Sequence, residues 1–377
     1  MRAASRRRCS TAGGTVLLRH LQHPFAAPGF PGHGTETASA RHRKGDTHHD
    51  RHRGKPGRAA LHLARAASLA PSPHNSQPWF FVEEGHDRAF EVHADAGRRM
   101  PLTDPGGREM VIACGAALFN VRTAVRHLGF RPVVDVLPEP ADQHFLARVS
   151  FGAHATPTDE EESPARVLSL RHTHRGPFGP EPVTEALLAQ LRDRARAEGA
   201  VLQVLDVPEK VGLLARLVDT AERADRTDLW RAVELAHRVG PTGVPVGACR
   251  AHPDLTLLTG RDYLGLSRRY TVSERRRGVG TGIVAVLCTP YDQRADWLLA
   301  GQALQRVLLH AAGHGVMAAF HTQPLERPEL REEVRRRVTA GRYPQMVLRL
   351  GRPLHVCPAP RRPLDQVLTQ RPAPLVR

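Results

Sequence analysis

Apolar residues first recur at helical spacing in "GRAALHLARAASLA", where Ala60, Leu63, Ala64 and Ala67 fall at i, i+3, i+4 and i+7 and share one face. Pro71 disfavours the α conformation at Ala70, so this helix is predicted to end there. "WFFVEE" and "AFEVHAD" read as a strand pair, and "GGREMVIACGAALFNVRTAVRHLGF" as a long helix ended by Gly129. "RPVVDVL" and "FLARVSF" follow as strands, and the acidic, proline-containing "PTDEEESPA" reads as a linker. The second half opens with "RHTHRGPF" and a helix over 183–198, then strand "AVLQVLDV" and two helical segments up to about residue 238. A looser region, "RVGPTGVPVGACRAHPD" and its continuation, precedes strand "GIVAVLC". The helix from Asp292 to Ala312 is apolar around most of its circumference and is expected to be deeply buried. Strand "GVMAAF", helix "RPELREEVRRRVTAG" and strand "QMVLRLG" complete an α+β pattern in two halves of similar size.

Composition changes this picture mainly at the N-terminus. Residues 1 to 58 hold seven histidines and many Gly, Pro and Arg without apolar periodicity, which predicts a disordered basic tail over 1–57. An Arg-rich targeting segment, or a start codon set too far upstream, would look the same. The formal charge of +16 suggests nucleic acid, but those 58 residues carry 12 Lys or Arg against 3 Asp or Glu, and the other 319 carry 42 against 35. The body is only mildly basic, and the tail does not interleave basic with aromatic residues, so no nucleic-acid partner is expected. No apolar run approaches the roughly 18 to 20 residues that span a bilayer, so neither a membrane span nor Sec-type export is expected. Five scattered cysteines, never spaced as CxxC, suit a reducing cytoplasm. The histidines show no ligand spacing, so no metal is expected, and "GVGTG" at 278–282 precedes a strand where a dinucleotide fingerprint would follow one.

The candidate chemistry begins in "APSPHNSQPW", residues 70 to 79. Its prolines fix φ and push Ala70, Ser72 and Gln77 toward extended conformations, which makes a polar loop that loses little entropy on ordering. The amides of Asn75 and Gln77 offer donors and acceptors in the alternation that the pyrimidine edge of a flavin displays, and Trp79 can anchor the loop in the core. On physics alone, a well-capped helix-to-strand turn fits these residues equally.

The same ten residues resemble the A-P-S-x-x-N-x-Q-P-W loop of the nitroreductase superfamily, which binds FMN. The Acg-like branch is also similar in "DPGGREMVIACGAALFNVRTAV", "RHTHRGPF", "GQALQRVLLHAAGHGVMAAFHTQPLE", "YPQMVLRLGRP" and "PRRPLDQVL", so the resemblance covers about residues 58 to 369. It implies that Ser72, His74, Asn75 and Gln77 contact FMN, and that Arg171, Thr173 and Arg175 of "RHTHR", with Arg361 and Arg362, surround its phosphate. On an extended segment the first three of these share a face, with His172 and His174 on the other as packing or surface residues. By family position the backbone near Thr322 and Gln323 supplies the donor to flavin N5, and no side chain stands out as a catalytic acid or base.

In a single nitroreductase unit the arginine segment precedes the loop, and here it follows by about a hundred residues. The resemblance therefore implies two fused units, 58–165 and 166–377, forming a pseudo-dimer in one monomeric chain with one complete FMN site. The implied activity is NAD(P)H oxidation with transfer to a small-molecule acceptor, a nitroaromatic or a quinone. The alternative is an FMN-sequestering protein with little turnover, its lid drawn from Trp230 to Asp254 and centred on "GPTGVPVGA", 240–248.

Overall fold

The computed structural model describes residues 56–85, 87–250, 256–258, 260–263 and 280–371, all within the compact unit Arg53–Arg377. The tail expected over 1–57 thus lies outside the described residues except for Pro56 and Gly57, as do 251–254 of the lid candidate and the first two residues of "GVGTG".

The apolar stripe of α1, Arg58–Ser68, buries Ala60, Leu63, Ala64 and Ala67 against α2, Arg108–His127. Four strands follow the expected segments: β1 Trp79–Glu84, β2 Ala89–Ala94, β3 Phe130–Val136 and β4 Phe145–His154. The acidic stretch expected as a linker is instead α3, Asp159–Val167. Its start is a capping box, in which the Thr158 side chain accepts from the Glu161 N–H and the Glu161 side chain accepts from the Thr158 N–H. That T-x-x-E signature outweighs the proline, which sits inside the helix at Pro164.

The second half contributes α4 Glu185–Arg196, β5 Val201–Val204, α5 Pro208–Thr227, α6 Leu229–Ala236 and the short α7 Val246–Arg250. It continues with β6 Ile283–Thr289, α8 Arg294–Gly313, β7 Met317–Phe320, α9 Pro328–Arg337, β8 Tyr343–Gly351 and β9 Leu368–Arg371. Two sheets result, in the orders β3-β4-β2-β1-β9 and β5-β6-β8-β7. All pairings are antiparallel except that of β9 with β1, which is parallel and brings the C-terminal end of the chain into the first sheet.

Helices α2 and α8 cross at the centre. A Cβ on Gly115 would stand 2.2 Å from the Leu298 carbonyl oxygen, and one on Gly301 2.0 Å from that of Ile112. Only glycine allows this approach, which seats the helices closely enough for Gln305 to donate to Asn120 at 2.8 Å and Asn120 to Ala66 O at 2.8 Å. The "RHTHR" segment runs along the edge of the second sheet, where Thr173 bridges Ala318 and the His174 N–H donates to Ala318 O at 2.8 Å.

Candidate functional site

Loop 71–77 leaves α1 with three non-glycine residues in the left-handed region, His74 (φ 49°), Asn75 (φ 57°) and Gln77 (φ 49°). Such conformations cost on the order of 1 kcal/mol or more each and persist only where surroundings over-determine them. Ser72 is extended as expected, at φ −146° and ψ 156°, but Gln77 is not. Its N–H is held by Ser72 Oγ at 2.9 Å, and its side-chain oxygen accepts from the Arg362 N–H at 2.8 Å. Those two bonds override the preference that Pro78 imposes.

Asn75 is committed in the same way. Its Nδ2 donates to Gly243 O at 3.0 Å and Pro360 O at 2.9 Å, and its Oδ1 accepts from Arg361 at 3.0 Å. The Asn75 and Gln77 amides, expected to read a flavin edge, thus have protein partners. Both are buried and bind the loop to segment 240–248 and to the C-terminal arm. The 240–248 segment is anchored through Gly243 and is not a loosely held lid.

A large cavity opens beside this loop, with about 1200 Å³ of empty space including its mouth. A surface cleft near Arg122 and Glu160 has about 1290 Å³, so volume does not single out a site, whereas lining chemistry does. The cavity joins Ser72 and His74 from the first half to Thr173, Arg175, Thr322 and Gln323 from the second, over apolar Ile112, Leu304 and Met346. The Thr322 N–H has no acceptor among the described residues. Arg171, Arg361 and Arg362 stand behind this lining. Arg171 donates to Leu69 O at 3.1 Å, and Arg361 to Leu69 O and Ala70 O, so the two cap the C-terminal end of α1. His174, expected on the far face, lines the cavity, because its segment is turned by the pairing with β7.

Capping does not exhaust these arginines. Arg171 Nε, Arg175 Nη1 and Arg361 Nε are buried without a partner, and no described carboxylate pairs with any of the three. Burial first, then the charges of Arg361 and Arg175, pull Arg171 down to about 9, and burial and Arg175 pull Arg361 down to about 10. Both remain charged at neutral pH. Three mutually repelling guanidinium groups with unused N–H donors are complementary to a polyanionic group such as a phosphate monoester.

Behind Arg261, another residue of the cavity wall, stands an acidic cluster. Arg261 donates to Asp225 at 3.1 Å and contacts Glu326, while the Glu222 side chain accepts from the Asp262 N–H at 2.8 Å and from Gln323 at 3.3 Å. The adjacent Tyr263 hydroxyl lies 2.6 Å from His74 Nδ1, closing this strap onto the loop. Burial, then Arg261, Arg175 and Arg238, hold His74 well below its usual value, so its ring is neutral. Burial pushes Glu109, also on the cavity wall, up to about 7 against the pull of Arg108.

No family model matches the chain. A Mycobacterium tuberculosis protein named "Putative NAD(P)H nitroreductase acg" is 30% identical over 322 residues, 81% of this chain and 93% of that one. The chain belongs to the nitroreductase family. An uncharacterized M. tuberculosis protein is 32% identical over 325 residues, covering 82% of this chain and 92% of its own. Two solved nitroreductases share the likeness at TM-score 0.35. One, from Desulfitobacterium hafniense with bound FMN, is 15% identical and spans 54% of this chain and 96% of its own. The other, an FMN-dependent nitroreductase from Mycobacterium smegmatis in complex with NADPH, is 18% identical and spans 55% and 97%.

Sequence reading of this nitroreductase missed Glu109, Cys249, Arg261 and Tyr263, all on the cavity wall. For Glu109 a signal was present. It shares a helix face with Ile112, Ala113 and Ala116, and a carboxylate on the buried stripe of a helix is out of pattern. For Tyr263 no local pattern exists, since its role comes from contact with a residue 189 positions away.

Proposed function

We propose that this nitroreductase holds one FMN and passes reducing equivalents from NAD(P)H to a nitroaromatic or quinone acceptor. The observation that carries the reading is the cluster of Arg171, Arg175 and Arg361, unbalanced by any described carboxylate, each with a buried guanidinium nitrogen that has no partner. Bound FMN would supply the hydride chemistry. Arg175 and Thr173 would face its phosphate, with Arg171 and Arg361 behind them, while Ser72 and His74 and the backbone at Thr322 and Gln323 border the space for the ring. Apolar Ile112, Leu304 and Met346 would exclude water from the reacting face.

The site would be assembled once, from two fused halves in a monomeric chain. Each half contributes most or all of one sheet and one long central helix, β9 of the second half completing the first sheet, and the helices meet through similarly placed glycines in "ACGAAL" and "LAGQAL". A flavin-to-protein ratio near one is expected from absorbance, and a ratio near two would sink the fused-pair reading.

A second reading, FMN storage with little turnover, is favoured by the Gly260–Tyr263 strap, which borders the cavity and is pinned by the Arg261 ion pairs and by the Tyr263 to His74 contact. Anaerobic addition of NADPH to the purified protein separates the two. Bleaching within seconds supports the enzyme, and bleaching that appears only after the Tyr263 contact is removed by Tyr263→Phe supports the store.

A further inference from the structure

Near the start of α2, neighbouring residues border the cavity and a surface cleft. Arg108 lines a surface cleft, and its neighbour Glu109 lines the cavity. The 3-10 turn Gln323–Glu326 repeats the arrangement, with Gln323 on the cavity and Glu326 on the cleft. The cleft reaches water, since the Glu332 side chain on its rim is 42% exposed. Glu326 itself is 7% exposed, and its Oε2 is buried without a hydrogen-bond partner.

From these placements we propose that Glu326 and Glu109 form a proton path from the cleft to the cavity, and that Glu109 is the acid that protonates the acceptor. The proposal rests on the redox reading above. A quinone becomes a quinol by gaining two electrons and two protons, and hydride transfer supplies both electrons and one proton. The second proton comes as the Glu109 O–H bond breaks and an O–H bond forms on the acceptor. The Glu109 carboxylate then takes a proton from Glu326, which regains one from water in the cleft. Overall, NAD(P)H, one proton and the quinone become NAD(P)⁺ and the quinol.

The electrostatics suit a shared proton. Asp104 raises Glu109 while Arg108, Arg261 and Arg331 lower it, and burial outweighs them all. Glu326 lies well above the usual carboxylate range through burial, with Glu109 and Asp225 raising it and Arg261 and Arg231 opposing. With Glu109 raising Glu326, the two buried carboxylates do not both ionise at neutral pH, and one of them keeps a proton.

The test uses flavin-loaded protein reduced with dithionite, so that reoxidation is read whether or not NAD(P)H reduces it. Menadione, which must take up protons, is compared with ferricyanide, which accepts only electrons. In wild type the menadione rate should fall as pH rises through about 7, the point at which Glu109 loses its proton. Glu109→Gln should slow menadione roughly a hundredfold and flatten that profile while leaving ferricyanide and flavin retention unchanged. Glu326→Gln should show the same split at about tenfold. Glu109→Asp, which keeps the acid, should retain the pH dependence even if the Gln variant folds poorly. In flavin-free protein, the infrared band of a protonated carboxyl titrating near neutrality should disappear in Glu109→Gln. Equal slowing of both oxidants, or an unchanged menadione rate, would overturn the proposal. A wild type that NADPH cannot bleach would instead overturn the enzyme reading and leave this result standing.

Discussion

Two charge clusters stand beside the cavity, one reaching it through Arg175 and the other through Arg261, and they are balanced in opposite ways. In one, Arg171, Arg175 and Arg361 have no described carboxylate partner, and their donors go to backbone carbonyls, to the Asn75 side-chain oxygen or to nothing. In the other, Arg261 is surrounded by Asp225, Glu222 and Glu326, which hold it well above its ordinary value despite burial. Both clusters are desolvated, so burial alone explains neither. The difference lies in where each finds its counter-charge. The acidic cluster is balanced within the protein and belongs to the fold, whereas no described carboxylate balances the arginine cluster, for which we propose a phosphate as the counter-charge.

The largest expected effect breaks the acidic cluster. Asp225 is 2% exposed and receives Arg231 at 3.1 Å, Arg261 at 3.1 Å and Arg327 at 2.7 Å. Asp225→Ala leaves three guanidinium groups around an uncharged methyl, and losing one partner of a buried ion pair costs about 3 to 5 kcal/mol. An unfolding free energy from urea denaturation that falls by less than a tenth of that would mean the network is solvated and the comparison false.

The next effect separates the clusters by pH. For Glu109, burial raises the folded-state value from 4.5 to about 7, so between those values the folded chain binds the proton and the unfolded chain does not. Stability from this group is fully present below about pH 4.5 and is lost as pH rises through 7, by up to about 3 kcal/mol. Glu222 and Asp104, both raised by burial, act in the same direction. Urea midpoints from pH 5 to 8 should fall, and Glu109→Gln should flatten part of the slope.

Removing one arginine has the smaller, opposite signature. Arg175→Ala is expected to weaken FMN binding by about 1.5 to 3 kcal/mol, roughly 10- to 150-fold, through loss of a charge-assisted hydrogen bond. Because it also removes repulsion from Arg171 and Arg361, the flavin-free protein should be no less stable than wild type. Equilibrium dialysis and thermal melts on one preparation test both halves of this statement. Flavin retention equal to wild type would remove Arg175 from the site.

The same contrast explains what was legible in the sequence. Helices α1, α2 and α8 and both sets of strands follow apolar periodicity, a local property. The arginine cluster was anticipated only through the family resemblance, since R-x-T-x-R alone recurs by chance in so arginine-rich a chain and Arg361 lies far along it. The acidic cluster was not anticipated, since Asp225, Arg261 and Glu326 come from α5, a strap and a 3-10 turn, and only the fold brings them together. α3 was misread because its proline was weighed above its capping box, and β9 because four residues, "LTQR", carry too little pattern to announce a strand. The protein partners of Asn75 and Gln77 were not legible, because donor and acceptor alternation does not say which partner an amide meets.

The smallest effect is the sharpest on the comparison, because it uses no flavin. If the arginine cluster awaits an anion, inorganic phosphate alone should bind there and stabilise the flavin-free protein, since a ligand that binds only the folded state adds RT ln(1 + [L]/Kd). At ten times its dissociation constant this is about 1.4 kcal/mol, enough to see in a thermal melt. Screening by salt would act on every exposed charge, so chloride at matched ionic strength is the control, and the phosphate increment should exceed it. The increment should vanish in Arg175→Ala, whose cavity-facing guanidinium is gone, and survive in Asp225→Asn, which alters only the acidic cluster. A phosphate effect that persists without Arg175, or that chloride matches, would mean the unpaired guanidinium groups are merely tolerated, and the asymmetry between the two clusters would carry no information about a ligand.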